Sequence, residues 1–78
     1  MSDAVPADDI APTLSLVVPV YNEAANIEPF LARARAALDA LGLRWEIVFV
    51  DDGSRDASLL AMLTARERET RIKVVELS

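Results

Sequence analysis

Apolar residues fall in three short runs along the chain, separated by two stretches with helical spacing. The first run, Leu14 to Val20, is nearly unbroken: Leu14, Leu16, Val17, Val18 and Val20. A β-branched run without alternation is the pattern of a strand buried on both faces. Pro19, near its end, has no N–H for a sheet ladder, so pairing is expected to fail there and the chain to turn out of the sheet. Ile27, Phe30, Leu31, Ala34, Leu38 and Leu41 then recur on one helical face. Asn26 suits the N-cap, Glu28 falls in the favourable first turn, and Pro29 is tolerated that early. Gly42 supplies a C-terminal stop. Trp45 to Val50 reads as a second strand, rich in branched and aromatic residues. Asp56 can cap a second helix with Leu59, Leu60 and Leu63 as its buried stripe, and Ile72 to Leu77 reads as a third strand.

The order is strand, helix, strand, helix, strand. Short connections and apolar strands imply right-handed parallel crossovers, so the fold class is α/β, half of a doubly wound sheet. Residues 1–13 are polar and acidic with two prolines and read as a flexible leader; residues 14–78 form the folded part. In doubly wound sheets, ligands bind beyond the carboxyl ends of the strands. Two polar segments stand there, Tyr21-Asn22-Glu23 after the first strand and Asp51-Asp52-Gly53-Ser54 after the second. The crossovers bring both to one edge of the sheet.

Composition narrows the chemistry. The 78 residues carry a formal net charge of −5, with no cysteine and no histidine. Disulfides, thiol catalysis and histidine acid–base chemistry are thereby excluded within the chain. Arg66, Arg68 and Arg71 alternate with Glu67 and Glu69, the pattern of a solvated helix face rather than a nucleic-acid patch. No apolar run approaches the roughly 20 residues of a membrane helix. The first residues lack a basic start followed by an apolar stretch, so they do not read as a signal peptide. Absence of cysteine fits a cytoplasmic location.

The two loops offer carboxylates, hydroxyls and backbone groups. Adjacent carboxylates repel, but neighbouring strand residues point to opposite faces. One of Asp51 and Asp52 can therefore line a cleft while the other packs beside the following helix. A carboxylate in a cleft can receive the ring N–H of a nucleobase, and Glu23 can receive ribose hydroxyls. Tyr21 adds an aromatic face, Gly53 permits close approach or positive φ, and Ser54 can donate or cap. Each residue also has a plainer reading: Asp-Gly and Ser are ordinary turn residues, and Asn22, Glu23, Asn26 and Asp56 can serve only as caps. With two glycines in the chain, neither Gly-x-Gly-x-x-Gly nor a Walker loop is present.

Leu16-Val17-Val18-Pro19-Val20-Tyr21-Asn22-Glu23, a helix, and then Glu46-Ile47-Val48-Phe49-Val50-Asp51-Asp52-Gly53-Ser54 resemble the start of a family 2 glycosyltransferase of the GT-A fold. Within that family the chain most resembles the dolichol- and undecaprenyl-phosphate sugar transferases. The resemblance covers 14–78 and implies the N-terminal β-α-β-α-β half of a GT-A, Rossmann-like parallel sheet. It implies that Pro19, Tyr21 and Glu23 contact the base and ribose of a UDP- or GDP-sugar. Val50 and Asp52 would contact the base, with Asp51 beside them. It further implies a full-length relative that transfers sugar to a polyprenyl phosphate, using Mg²⁺ or Mn²⁺, at the cytoplasmic membrane face.

The family's Asp-x-Asp metal site follows a later strand, and none occurs here after Ile72. No catalytic or metal-binding residue is therefore assigned to this chain, and it is expected to be inactive alone. An apolar first strand left at the sheet edge implies self-association. Two other readings use the same residues. One is a non-catalytic nucleotide-binding or regulatory module. The other is a receiver-like domain, in which paired aspartates hold Mg²⁺ for phosphorylation; there the pair follows the first strand, here the second.

Overall fold

The computed structural model describes residues 12–77. Strands β1 (Leu14–Val20), β2 (Trp45–Asp51) and β3 (Ile72–Glu76) alternate with helices α1 (Ala24–Ala40) and α2 (Ser58–Arg68). The strands form one parallel sheet in the order β1-β2-β3, with Leu14 opposite Trp45 and Ile47 opposite Ile72. The α/β class and the parallel order are those the apolar pattern implies. Most of the leader, residues 1–11, lies outside the described residues. Thr13 is already tied to the sheet, its N–H donating to the Arg44 carbonyl at 2.9 Å.

The core lies on one face. Val20, Trp45, Ile47, Phe49 and Ile72 from the strands meet Ile27, Leu31 and Leu38 of α1 and Met62 and Ala65 of α2 in a single buried cluster. The opposite face is open, and Val17 on it is 60% exposed. This corrects the expectation of strands buried on both faces. Two right-handed crossovers advancing in the same direction across a sheet put both helices on the same side. Five elements in this order can cover one face only.

Pro19 does not end the pairing: it lies opposite Val50, and Val20 lies opposite Asp51. The reason is where its missing N–H falls. In a parallel ladder, alternate residues address opposite neighbours. Val20 faces β2, its carbonyl accepting the Asp52 N–H at 2.9 Å. Pro19 therefore faces the free edge, where no donor is needed.

Three further expectations change. α1 begins at Ala24 with Glu23 as N-cap residue, so Asn26 is inside the helix and Glu28 falls beyond the first turn. Glu28 instead pairs with Arg68 at 2.6 Å. The buried stripe of α2 is Ser58, Met62 and Ala65, while Leu60 is 66% exposed. Ser58 sets that phase, because its hydroxyl is bonded inward. Arg71 leaves the helical charge pattern altogether. Its guanidinium lies 3.7 Å over the Trp45 ring and bonds both oxygens of Glu69 at 2.8 and 3.0 Å. Asp39 joins this cluster, accepting from Trp45 Nε1 at 2.8 Å and from Arg71 at 3.3 Å. Gly42 ends α1 as expected, with φ +69°.

Candidate functional site

Both helices begin at the sheet edge where β1 and β2 end. Between strand and helix each connection is short, and each contains a residue with positive φ. In the first it is Asn22 at +52°, a residue type that tolerates the left-handed region. In the second it is Gly53 at +75°. These reversals bring the two loops side by side and expose their backbone amides to each other.

The loops are laced together. The Asn22 N–H donates to Ser54 Oγ at 3.0 Å, and Asn22 Oδ1 accepts the Arg55 N–H at 2.7 Å. The Glu23 N–H donates to Ser58 Oγ at 2.7 Å, and the Ala24 N–H to Asp56 Oδ2 at 3.3 Å. Asp56 Oδ1 in turn accepts the Ser58 N–H at 2.8 Å and the Ser58 hydroxyl. α1 has no acid in its first turn and no side-chain cap of its own. Asp56 supplies both functions from the other loop while also capping α2. Its carboxyl is held below the ordinary 3.8, chiefly by the Ser58 hydroxyl and then by backbone N–H groups, with burial opposing.

The six residues singled out in the sequence divide by face. Pro19 and Val50 are adjacent across the β1–β2 pair and point to the open side of the sheet. Tyr21 is 55% exposed, and Glu23 and Asp52 are exposed. The Asp52–Val20 backbone bond sets Asp52 beside the start of the Tyr21 loop. Asp51 goes the other way. It is 2% exposed, on the helix-bearing face where both helices begin, and its Oδ1 has no hydrogen-bond partner. Its carbonyl accepts the Leu77 N–H at 2.9 Å, extending the β2–β3 ladder by one residue. The two aspartates thus diverge, as alternation in an extended segment requires.

A cavity of about 250 Å³ opens between β1 and α1; Pro19 and Glu23 of the predicted site residues line it, with Val18, Ile27, Phe30 and Phe49 as further apolar lining and Asn26 and Arg33 as further polar lining. It is smaller than the roughly 300–1,000 Å³ of pockets that enclose a drug-sized ligand. Among the described residues, no three or more acidic side chains converge as a divalent ion would need.

Sequence reasoning found the loops but not how they are joined. The sequence pattern does not single out Ser58, and it marks Asn22 and Asp56 only as local caps, whereas both bond across the two loops. The Asp56-x-Ser58 spacing does signal a local turn, but bonds across more than 30 positions leave no local signature.

Comparison with known proteins places this geometry. A mannosyltransferase from Pyrobaculum calidifontis, solved in complex with GDP-Man and Mn²⁺, superposes with a TM-score of 0.67 at 27% identity, over 97% of this chain and 22% of that one. An undecaprenyl-phosphate 4-deoxy-4-formamido-L-arabinose transferase of Pseudomonas paraeruginosa is 50% identical over 56 residues, 72% of this chain and 16% of that protein. An uncharacterized glycosyltransferase of Synechocystis sp. is 40% identical over 65 residues, 83% of this chain and 20% of its own length. The chain thus spans about a fifth of the length of these relatives. The sequence model of glycosyl transferase family 2 matches residues 15–78, which include both loops, β2, β3 and all of β1 but its first residue. On that match the chain belongs to glycosyl transferase family 2.

Proposed function

We propose that the paired loops hold the nucleoside of a UDP- or GDP-sugar, and that the parent protein transfers the sugar to a polyprenyl phosphate. The observation that carries this reading is the lacing of the loops, which presents Tyr21, Glu23 and Asp52 together at one sheet edge. Asp52 is the free acceptor for a base N–H. Glu23 is the acceptor for ribose hydroxyls, and Pro19 and Val50 form the apolar ledge beneath. Asp51, buried beneath the loop with Oδ1 unpartnered, stands beside these contacts. Residues 14–78 are in this reading the N-terminal nucleotide-binding part of a GT-A domain.

A lipid-phosphate acceptor is supported by the name of the Pseudomonas relative, and a nucleoside diphosphate sugar by the ligand of the Pyrobaculum structure. No described helix is long and apolar enough to cross a membrane. Work at the cytoplasmic membrane face follows only from the acceptor. The metal expected in the parent finds no fitting ligand set among the described residues, so no step is assigned to it here.

Calorimetric titration with UDP and with GDP, without metal, tests the reading. One of the two should bind, and Asp52→Ala should weaken it by about tenfold, the worth of one hydrogen bond to a charged acceptor. Absence of binding by either nucleotide refutes it. The free edge of β1 further supports self-association; sedimentation velocity showing only monomer at high concentration would exclude that.

A further inference from the structure

We propose that Asp56 and Ser58 are positioning residues, a latch that sets the Tyr21–Glu23 loop against the start of α2 and so fixes the geometry in which a nucleoside is held. The consequence for binding rests on the nucleoside reading above; the latch itself does not.

The connectivity singles these two residues out. The amides of Glu23 and Ala24, where α1 begins, are satisfied by Ser58 Oγ and Asp56 Oδ2, not by any side chain of their own loop. Ser58 is fully buried. Its single hydroxyl proton is committed to Asp56 Oδ1, so its oxygen is turned to accept the Glu23 N–H. The chain of donors therefore has one direction: Glu23 amide to Ser58 hydroxyl to Asp56 carboxylate. Asp56 divides its two oxygens between the helices, Oδ1 to α2 and Oδ2 to α1. A residue that only capped α2 would need one oxygen. The second ties α2 to the backbone that carries Glu23, the proposed ribose acceptor, and follows Tyr21.

Asp56→Asn separates the two roles. Its remaining oxygen can still cap α2, but the amide group that replaces Oδ2 meets the Ala24 N–H donor to donor. Ser58→Ala removes the acceptor for Glu23. Two readouts apply to each variant of the 78-residue chain, with Arg68→Ala as a surface control. In amide-resolved NMR, the Glu23 and Ala24 amides should shift and exchange faster in Ser58→Ala. In Asp56→Asn the Ala24 amide should respond while the Ser58 amide stays protected. In titrations with UDP and GDP, both variants should lose about fivefold in affinity for whichever nucleotide the unmodified chain binds, roughly one neutral hydrogen bond.

Unchanged Glu23 and Ala24 amides in both variants would overturn the latch. Altered amides with affinity within about twofold of the unmodified chain would overturn its bearing on the site. If the unmodified chain binds neither nucleotide, the nucleoside reading fails and so does the binding role, while the amides still decide the latch. Asp56→Asn retains the α2 cap, and so provides a folded variant should Ser58→Ala not fold.

Discussion

Replacing Phe49 by alanine should remove a large part of the protein's stability. Phe49 lies in the middle of the central strand, fully buried, between α1 and the sheet. Its ring meets Phe30 edge-on, with centroids 6.1 Å apart and planes inclined at 62°. Phe-to-Ala changes in cores cost about 3–5 kcal/mol, and an edge-to-face partner accounts for about 0.5–1.5 of this. Phe49 also lines the cavity between β1 and α1. The new void would merge with that opening rather than close, because the sheet behind Phe49 is held on both sides by paired strands. A chain of this length has a total stability of about 4–12 kcal/mol. At a urea slope of about 1 kcal/mol per molar, the midpoint should fall by about 3 M or more. Trp45, the single tryptophan, is 2% exposed in the same cluster and reports the transition by fluorescence. Val17→Ala, on the open face, serves as the comparison and should move the midpoint by less than about 1 M. A Phe49→Ala loss below about 1 kcal/mol at unchanged slope, or one equal to that of Val17→Ala, would refute the one-sided core.

Acid should destabilise the chain through the Trp45 cluster. Glu69 is held below its ordinary 4.5, chiefly by the Arg71 guanidinium, and Asp39 below 3.8, chiefly by the Trp45 indole N–H. Depressed carboxyl pKa values contribute stability that is present above the unfolded values and lost as pH falls through the folded ones. Melting followed by Trp45 fluorescence should therefore be flat from pH 7 to about 5.5 and fall below about 4.5, with Arg71→Met flattening that fall. Arg71→Lys should lower the urea midpoint measurably, because an ammonium cannot keep both the fork to Glu69 and the stacking on Trp45. Gly53→Ala should cost about 1 kcal/mol from its φ of +75° alone, since no atom lies within 4 Å of the added Cβ; a neutral result in denaturant titration would count against the turn geometry.

The strands and their parallel order were legible because branched apolar runs and short connections leave few alternatives. Helix phase was less so. In α2 every leucine is a candidate for burial by hydrophobicity, yet a serine and an alanine occupy the buried stripe with Met62. A polar residue turned inward to satisfy distant amides is invisible to an apolar pattern. Pro19 shows the same limit from another side: whether a missing N–H matters depends on which neighbour it faces, and that requires the register. Of the candidate site, the residues and their shared edge were readable. The opposite fates of Asp51 and Asp52 were anticipated as a pair, but not which aspartate would be buried.

The sheet order has a kinetic consequence. None of the described strands pairs with one reached by a tight turn: Ser15 meets Glu46 across 31 positions, and Ile47 meets Ile72 only after the whole of α2 has intervened. Closing either crossover orders a long segment before any ladder bond returns free energy. The rate of reaching the native state should then depend on how far α1 and α2 have already formed and docked on β2. The last steps to set would be the bonds between the two loops, which need both crossovers in place.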